Sequence, residues 1–211
     1  MAKSESARES VLILGVRLSF PALAEPKQVL GMGDPKYQAS FIFPRNSQAH
    51  TAIQQAVQRV AAAAFGKDAP RILAGSDSQP LRDGDLKGDT AGYAGMLYVN
   101  TKSLKQPQLI DADKTRIFDP EVIKQKFQPG YYVNAQVSIY SYSMQVKRGI
   151  AVGLDAVQFA RIGEPLGGTV VNLSAFPDES AGAAAASASA FGSMVQPAVG
   201  APLDDGIDYP F

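Results

Sequence analysis

Residues 131 to 142 read Tyr-Tyr-Val-Asn-Ala-Gln-Val-Ser-Ile-Tyr-Ser-Tyr, and this run constrains the fold more than any other part of the chain. Side chains of an extended strand alternate between two faces. Tyr131, Val133, Ala135, Val137 and Ile139 therefore share one side, and Tyr132, Asn134, Gln136, Ser138, Tyr140 and Tyr142 share the other. The first side is apolar and needs a core. The second is polar and carries no charge. A turn at 144–147 leads into a second run at 148–162, with Ile150, Val152 and Leu154 in alternation. Two such runs joined by so short a connection form an antiparallel pair.

Two more strands precede this pair. Over residues 11–20 the period of two predicts Leu12, Leu14, Val16, Leu18 and Phe20 on one face, with Pro21 ending the strand. Pro26, Gly31, Gly33 and Pro35 predict a loop over 21–36. Residues 37–43 form the next strand, with Tyr37, Ala39, Phe41 and Phe43 on one side and Pro44 closing it. The period then lengthens. Ala49, Ile53, Val57, Val60, Ala61 and Ala64 fall at helical spacing, with Ser47 as N-cap and Gly66 just past the end. The alanine run at 61–64 is expected to pack closely against a sheet. Residues 66–92 are polar and glycine-bearing and read as a long functional or mobile loop. A strand is expected over 93–100, short strands at 107–110 and 114–118 around an Asp111-Ala112-Asp113 turn, and a short helix at 120–127. The sum is an all-β class, mainly β with one substantial helix, compatible with a small barrel.

The chain changes character near residue 176. Residues 181–190 are alanine, glycine and serine alone, and Gly192, Ser193, Pro197, Gly200 and Pro202 follow. We read 1–10 as a flexible N-terminus, 11–175 as the folded domain, 176–203 as a flexible linker and 204–211 as an acidic tail. Charge is divided in the same way. Net charge is zero, yet all 20 basic side chains fall before residue 177 together with 15 of the 20 acids, a net of +5 for the body. Such asymmetry points to contact with an anionic polymer by the body.

Several chemistries are excluded. There is no Cys, so neither a disulfide nor a thiolate metal site is available, and the single His50 cannot supply a two-imidazole site. No cofactor is expected. No run approaches the roughly 18 apolar residues of a membrane helix, and Met1-Ala2-Lys3-Ser4-Glu5 does not open a signal peptide. Asp83, Asp85 and Asp89 could hold a hard cation, but Asp-Gly turn chemistry is the simpler reading.

Two constellations remain. The polar face of 131–142 offers tyrosine rings that can stack bases, with Asn134 and Gln136 for adaptable polar contacts. Tyr98, Asn100 and Lys102 repeat the pattern. Arg82, Lys102, Lys147 and Arg148 are the cations placed with them for phosphate contact. The competing reading is an amphipathic strand whose tyrosines pack beneath a loop. In the tail, Asp204, Asp205 and Asp208 interleave with Ile207, Tyr209 and Phe211. That is a peptide suited to capture by a basic, apolar-lined pocket of a partner protein; the alternative is a solubilising end.

A resemblance joins these observations. Gln79-Pro80-Leu81-Arg82-Asp83-Gly84-Asp85, Tyr93-Ala94-Gly95 and Asn100 resemble segments of a bacteriophage family, formerly of unknown function, now grouped as single-stranded DNA-binding proteins. So do Gly149-Ile150-Ala151-Val152-Gly153-Leu154, Val157-Gln158 and Gly163-Glu164-Pro165-Leu166-Gly167-Gly168. The resemblance spans about residues 10–175. It implies an OB-fold barrel elaborated by a helix and long loop insertions, with a disordered C-terminal tail. It further implies sequence-tolerant single-stranded DNA binding in phage replication or recombination, without catalysis, in the cytoplasm of an infected host. Single-stranded DNA-binding proteins, including the short-tailed-phage type, often end in an acidic tail with a terminal phenylalanine, an arrangement that Asp204, Asp205, Asp208 and Phe211 resemble. The partners implied are single-stranded DNA and replication proteins such as a polymerase, helicase or nuclease, with self-association open. Competing functions are a capsid or tail component that ignores nucleic acid, and a metal-dependent nuclease built on the aspartates.

Overall fold

The structure, a computed structural model, describes residues 7–29, 32–75, 79–144 and 147–167. The linker at 176–203 and the tail residues Asp204, Asp205, Asp208, Tyr209 and Phe211 lie outside the described residues. Among the described residues, seven strands form one sheet: β1 (Arg8–Val29), β2 (Met32–Pro44), β3 (Leu81–Asp83), β4 (Met96–Ser103), β5 (Gln108–Ile110), β6 (Tyr132–Ser143) and β7 (Arg148–Arg161). The order is β3-β4-β2-β1-β6-β7-β5, and β4 also pairs with β7 at Lys102 and Gly153. That last pairing closes β4, β2, β1, β6 and β7 into a five-stranded barrel. The fold is mainly β and of the OB type, as the resemblance implied.

One long helix, α1 (Gln48–Phe65), joins β2 to the connection before β3. Ser47 accepts from the His50 amide as its N-cap, and Gly66 ends it at φ 54. Ala49, Ile53, Ala56, Val57, Val60 and Ala61 are buried in the same cluster as the barrel interior, so α1 packs over β1 and β6. Only the first residue of the alanine run is buried. Residues 62–64 face solvent, because the helix turns them away from the barrel. Between 66 and 92 the expected loop contains α2 (Ala69–Leu73), β3 and two 3₁₀ turns (Gly66–Asp68 and Gly84–Lys87). The short helix is α3 (Pro120–Lys126), capped by Asp119.

The largest departure from the alternation is in β1. Val11, Ile13, Val16 and Leu18 are buried, whereas Leu12, Leu14 and Phe20 are 60%, 50% and 54% exposed. Pairing with β6 passes from Ile13↔Ala135 to Val16↔Val133, three residues against two. This is a β-bulge, and it exchanges the faces of everything after it. Gly15 supplies the required positive φ of 61. A second shift follows on the β2 side, from Ser19↔Ser40 to Ala22↔Gln38. Pro21 falls in this second bulge and does not end the strand, since its missing N–H costs no ladder bond there. β1 and β2 thus run on through most of residues 21–36 as a long hairpin arm.

The N-terminal boundary also moves. Residues 8–10, read as flexible, pair with β6. Arg59 of α1 grips the Glu9 carboxylate with Nε at 3.1 Å and a terminal nitrogen at 2.5 Å, and this hydrogen bonding holds the Glu9 pKa below its ordinary value.

Candidate nucleic-acid interface

The outward face of β6 divides into two ends. At the Tyr132 end the side chains are committed to the protein itself. The Arg161 guanidinium stacks on the Tyr132 ring, 3.7 Å from its centroid. Asn134 Oδ1 accepts from the Gly15 amide at 2.9 Å, satisfying the bulge, while its Nδ2 donates to Gln158 at 3.1 Å. Gln136 donates to Ser10 at 3.0 Å but remains exposed. Asn134 therefore braces the bulge, and the ring of Tyr132 has one face engaged by Arg161.

At the other end the barrel seam opens into a cleft of about 700 Å³. Its walls carry Arg8, Lys36, Lys102, Lys105 and Tyr140, with Asp155 the sole carboxylate among its lining residues. Arg8 reaches Asp155 at 3.2 Å and Ser138 Oγ at 2.7 Å, and Ser138 donates to Asp155, so that carboxylate is already engaged. Lys36, Lys102 and Lys105 make no ion pair among the described residues. Lys27 and Lys36 even face each other across the β1–β2 arm. Like charges directly opposite destabilise a sheet, and a polyanion would relieve them. The Tyr140 ring stands beside Gly153, where a β-carbon would lie 3.5 Å from its Cε1. A cleft in which cations outnumber carboxylates carries a net positive field that draws in anions.

Of the expected site residues, Lys102 and Tyr140 meet in this cleft. Tyr142 lies two residues further along the same face, beside the hairpin end where Lys147 and Arg148 are exposed. Tyr98 is a correction. It is 5% exposed, with the Tyr93 ring edge-on at 5.1 Å and the Lys87 ammonium 5.2 Å from its centroid, so it has no free face for a base. Arg82 is exposed but pairs with Tyr98 toward the start of β4, away from Lys102. Arg8, Lys36 and Lys105 were missed. The first two lay in segments read as a flexible end and a loop, and only closure of the barrel brings them to one seam.

The motif aspartates are scaffold. Arg45 bridges Asp83 at 2.5 Å and Asp85 at 2.9 Å, and its hydrogen bond is the main cause of a lowered Asp83 pKa. Asp85 Oδ1 accepts from the Gly95 amide at 2.6 Å. Gly84 admits the Tyr93 carbonyl so closely that a β-carbon would lie 2.2 Å from it. No three acidic or imidazole groups gather as a metal site among the described residues.

A family model described as Enterobacter phage Enc34, ssDNA-binding protein, matches residues 9–191. The chain belongs to this family. A relative in Acyrthosiphon pisum secondary endosymbiont phage 1, the putative protein p50, is 36% identical over 172 residues, covering 77% of this chain and 90% of the relative. The single-stranded DNA-binding protein of bacteriophage Enc34, solved in complex with ssDNA, superposes with TM-score 0.63 at 19% identity, over 75% of this chain and 89% of that one. Bacteriophage T7 gp2.5, a single-stranded DNA binding protein, gives TM-score 0.51 at 12% identity over 82% and 97%. At these identities the two structures speak for the shared barrel. In this chain the Asp83-Gly84-Asp85 and Tyr93-Ala94-Gly95 segments build the connection from β3 to β4.

Proposed function

We propose that the chain binds single-stranded DNA with little regard to sequence, in phage replication or recombination, by laying the strand in the cationic cleft at the barrel seam. The observation that carries this reading is the convergence of Lys36, Lys102, Lys105 and Arg8 around the ring of Tyr140. The lysines neutralise phosphates and release counterions. Tyr140, continued by Tyr142, offers a π-face that any base can use. Such a cleft holds a strand stoichiometrically and needs no catalytic group. Family membership supports the same reading, with the cytoplasm of an infected bacterium as its setting. The acidic tail, with Asp204, Asp205, Asp208, Tyr209 and Phe211, serves as the hook for a polymerase, helicase or nuclease.

The test is a titration with oligo-dT across a salt series. Binding should weaken linearly on a log–log plot, by about 0.7 per neutralised phosphate, and should exceed binding to duplex of the same length. Equal affinity for duplex would remove the reading.

A further inference from the structure

We propose that Phe20 and Asn100 form a nucleobase subsite beside the cleft, in which a base stacks on the Phe20 ring and a base carbonyl accepts a hydrogen bond from the Asn100 amide. The proposal rests on the single-stranded DNA reading and adds to it a position where base chemistry matters.

Phe20 is the first observation. Its ring is more than half exposed, and the residue is held at φ 45, a left-handed conformation that L residues other than Asn, Asp and His seldom adopt. It occupies the second bulge of β1, which turns the ring to the outer face. The ring is supported from beneath and not loose. Tyr93, wholly buried, lies 6.4 Å away at 40°, and the Lys87 ammonium sits 5.2 Å from the Phe20 centroid. Backbone strain that keeps an apolar ring in solvent is accounted for if the ring has an occupant.

The depression beside it is the second. It has a volume of about 230 Å³ and lies between Phe20, Gln38, Ser40, Asn100 and Lys102. Ser40 Oγ donates to Asn100 Oδ1 at 2.6 Å. One lone pair of that carbonyl is thereby engaged, which orients the amide, and the NH₂ group, a donor only, remains for a ligand. Thymine, cytosine and guanine present an exocyclic carbonyl to such a donor, whereas adenine can accept only at its ring nitrogens. Lys102 belongs to both this depression and the cleft. A phosphate held there links a base on Phe20 to the strand lying over Tyr140.

The experiment uses the full chain and labelled oligo-dT, oligo-dA and an abasic oligomer of equal length, followed by fluorescence anisotropy. Wild type should prefer dT to dA. Phe20→Ala should lower dT affinity about fivefold or more, as loss of one stacking ring does, and leave the abasic strand unaffected. Phe20→Tyr should retain dT binding, which separates the ring from any effect on folding. Asn100→Ala should narrow the dT-to-dA preference. An equal loss on dT and abasic strands, or no loss on dT, would overturn the subsite while leaving the cleft intact. A wild type that binds no strand would overturn the cleft reading and the subsite with it.

Discussion

The two ends of β6 present the same residue types on the same face and differ in what surrounds them. Tyr132 lies beneath the Arg161 guanidinium, and its neighbour Asn134 is spent on the Gly15 bulge. Tyr140 stands at the seam among Arg8, Lys36, Lys102 and Lys105. A stacking platform needs an open face and a nearby cation that is not already paired with protein. Both rings are half-buried, but the cations beside Tyr140 include three lysines without an ion pair among the described residues, whereas the one on Tyr132 is already held against its ring. A tyrosine on an alternating strand is therefore an opportunity that closure of the barrel either opens or fills.

The strongest test of this contrast removes the cations. The triple variant Lys36→Ala, Lys102→Ala and Lys105→Ala should weaken oligo-dT binding by about one to two orders of magnitude at low salt and make the log–log salt slope shallower by about 2. Retention of the wild-type slope in a titration series would show that the phosphates run elsewhere. The next test uses the two tyrosines. Tyr140→Ala should cost about 1–3 kcal/mol of binding free energy. Tyr132→Ala should leave affinity unaltered and lower thermal stability, by about 0.5–1 kcal/mol for the lost cation–π contact plus whatever packing goes with it. Equal loss of binding by both variants would abolish the distinction between the ends. The last concerns the brace alone. Gly15→Ala places a β-carbon at φ 61 and should destabilise the chain by about 1–2 kcal/mol in a denaturant melt, with oligo-dT affinity unchanged where the fold persists. A binding defect in a folded Gly15→Ala protein would mean that the braced end also touches DNA.

The sequence was most informative where one rule governed a whole segment. The alternation of 131–142, the helical spacing from Ala49 to Ala61, the Ser47 cap and the Gly66 stop all correspond to the structure, because each depends on local geometry. β1 was misread for an equally definite reason. Its alternation is broken twice by bulges, and a single inserted residue sends Leu12 and Leu14 outward while bringing Val16 and Leu18 in. Pro21 signals the end of a strand only if its missing amide is needed, and at a bulge it is not. In the candidate site Lys102 and Tyr140 were legible as a cation and a ring on strand faces. Arg8 and Lys36 were not, because nothing local distinguishes them from solvated charges.

The sequence by itself determined the β class, the long helix, the two-sided character of β6 and the separation of a basic body from an acidic end. Those are properties of periods, caps and composition, and each is written within a few residues of where it acts. Only the tertiary structure decided which polar side chains are available. Packing against Tyr93 removed Tyr98, the bulge claimed Asn134, and the meeting of β4 with β7 gathered cations from β1, β2 and the segment after β4. Availability depends on neighbours distant along the chain, and a periodic pattern carries no record of them.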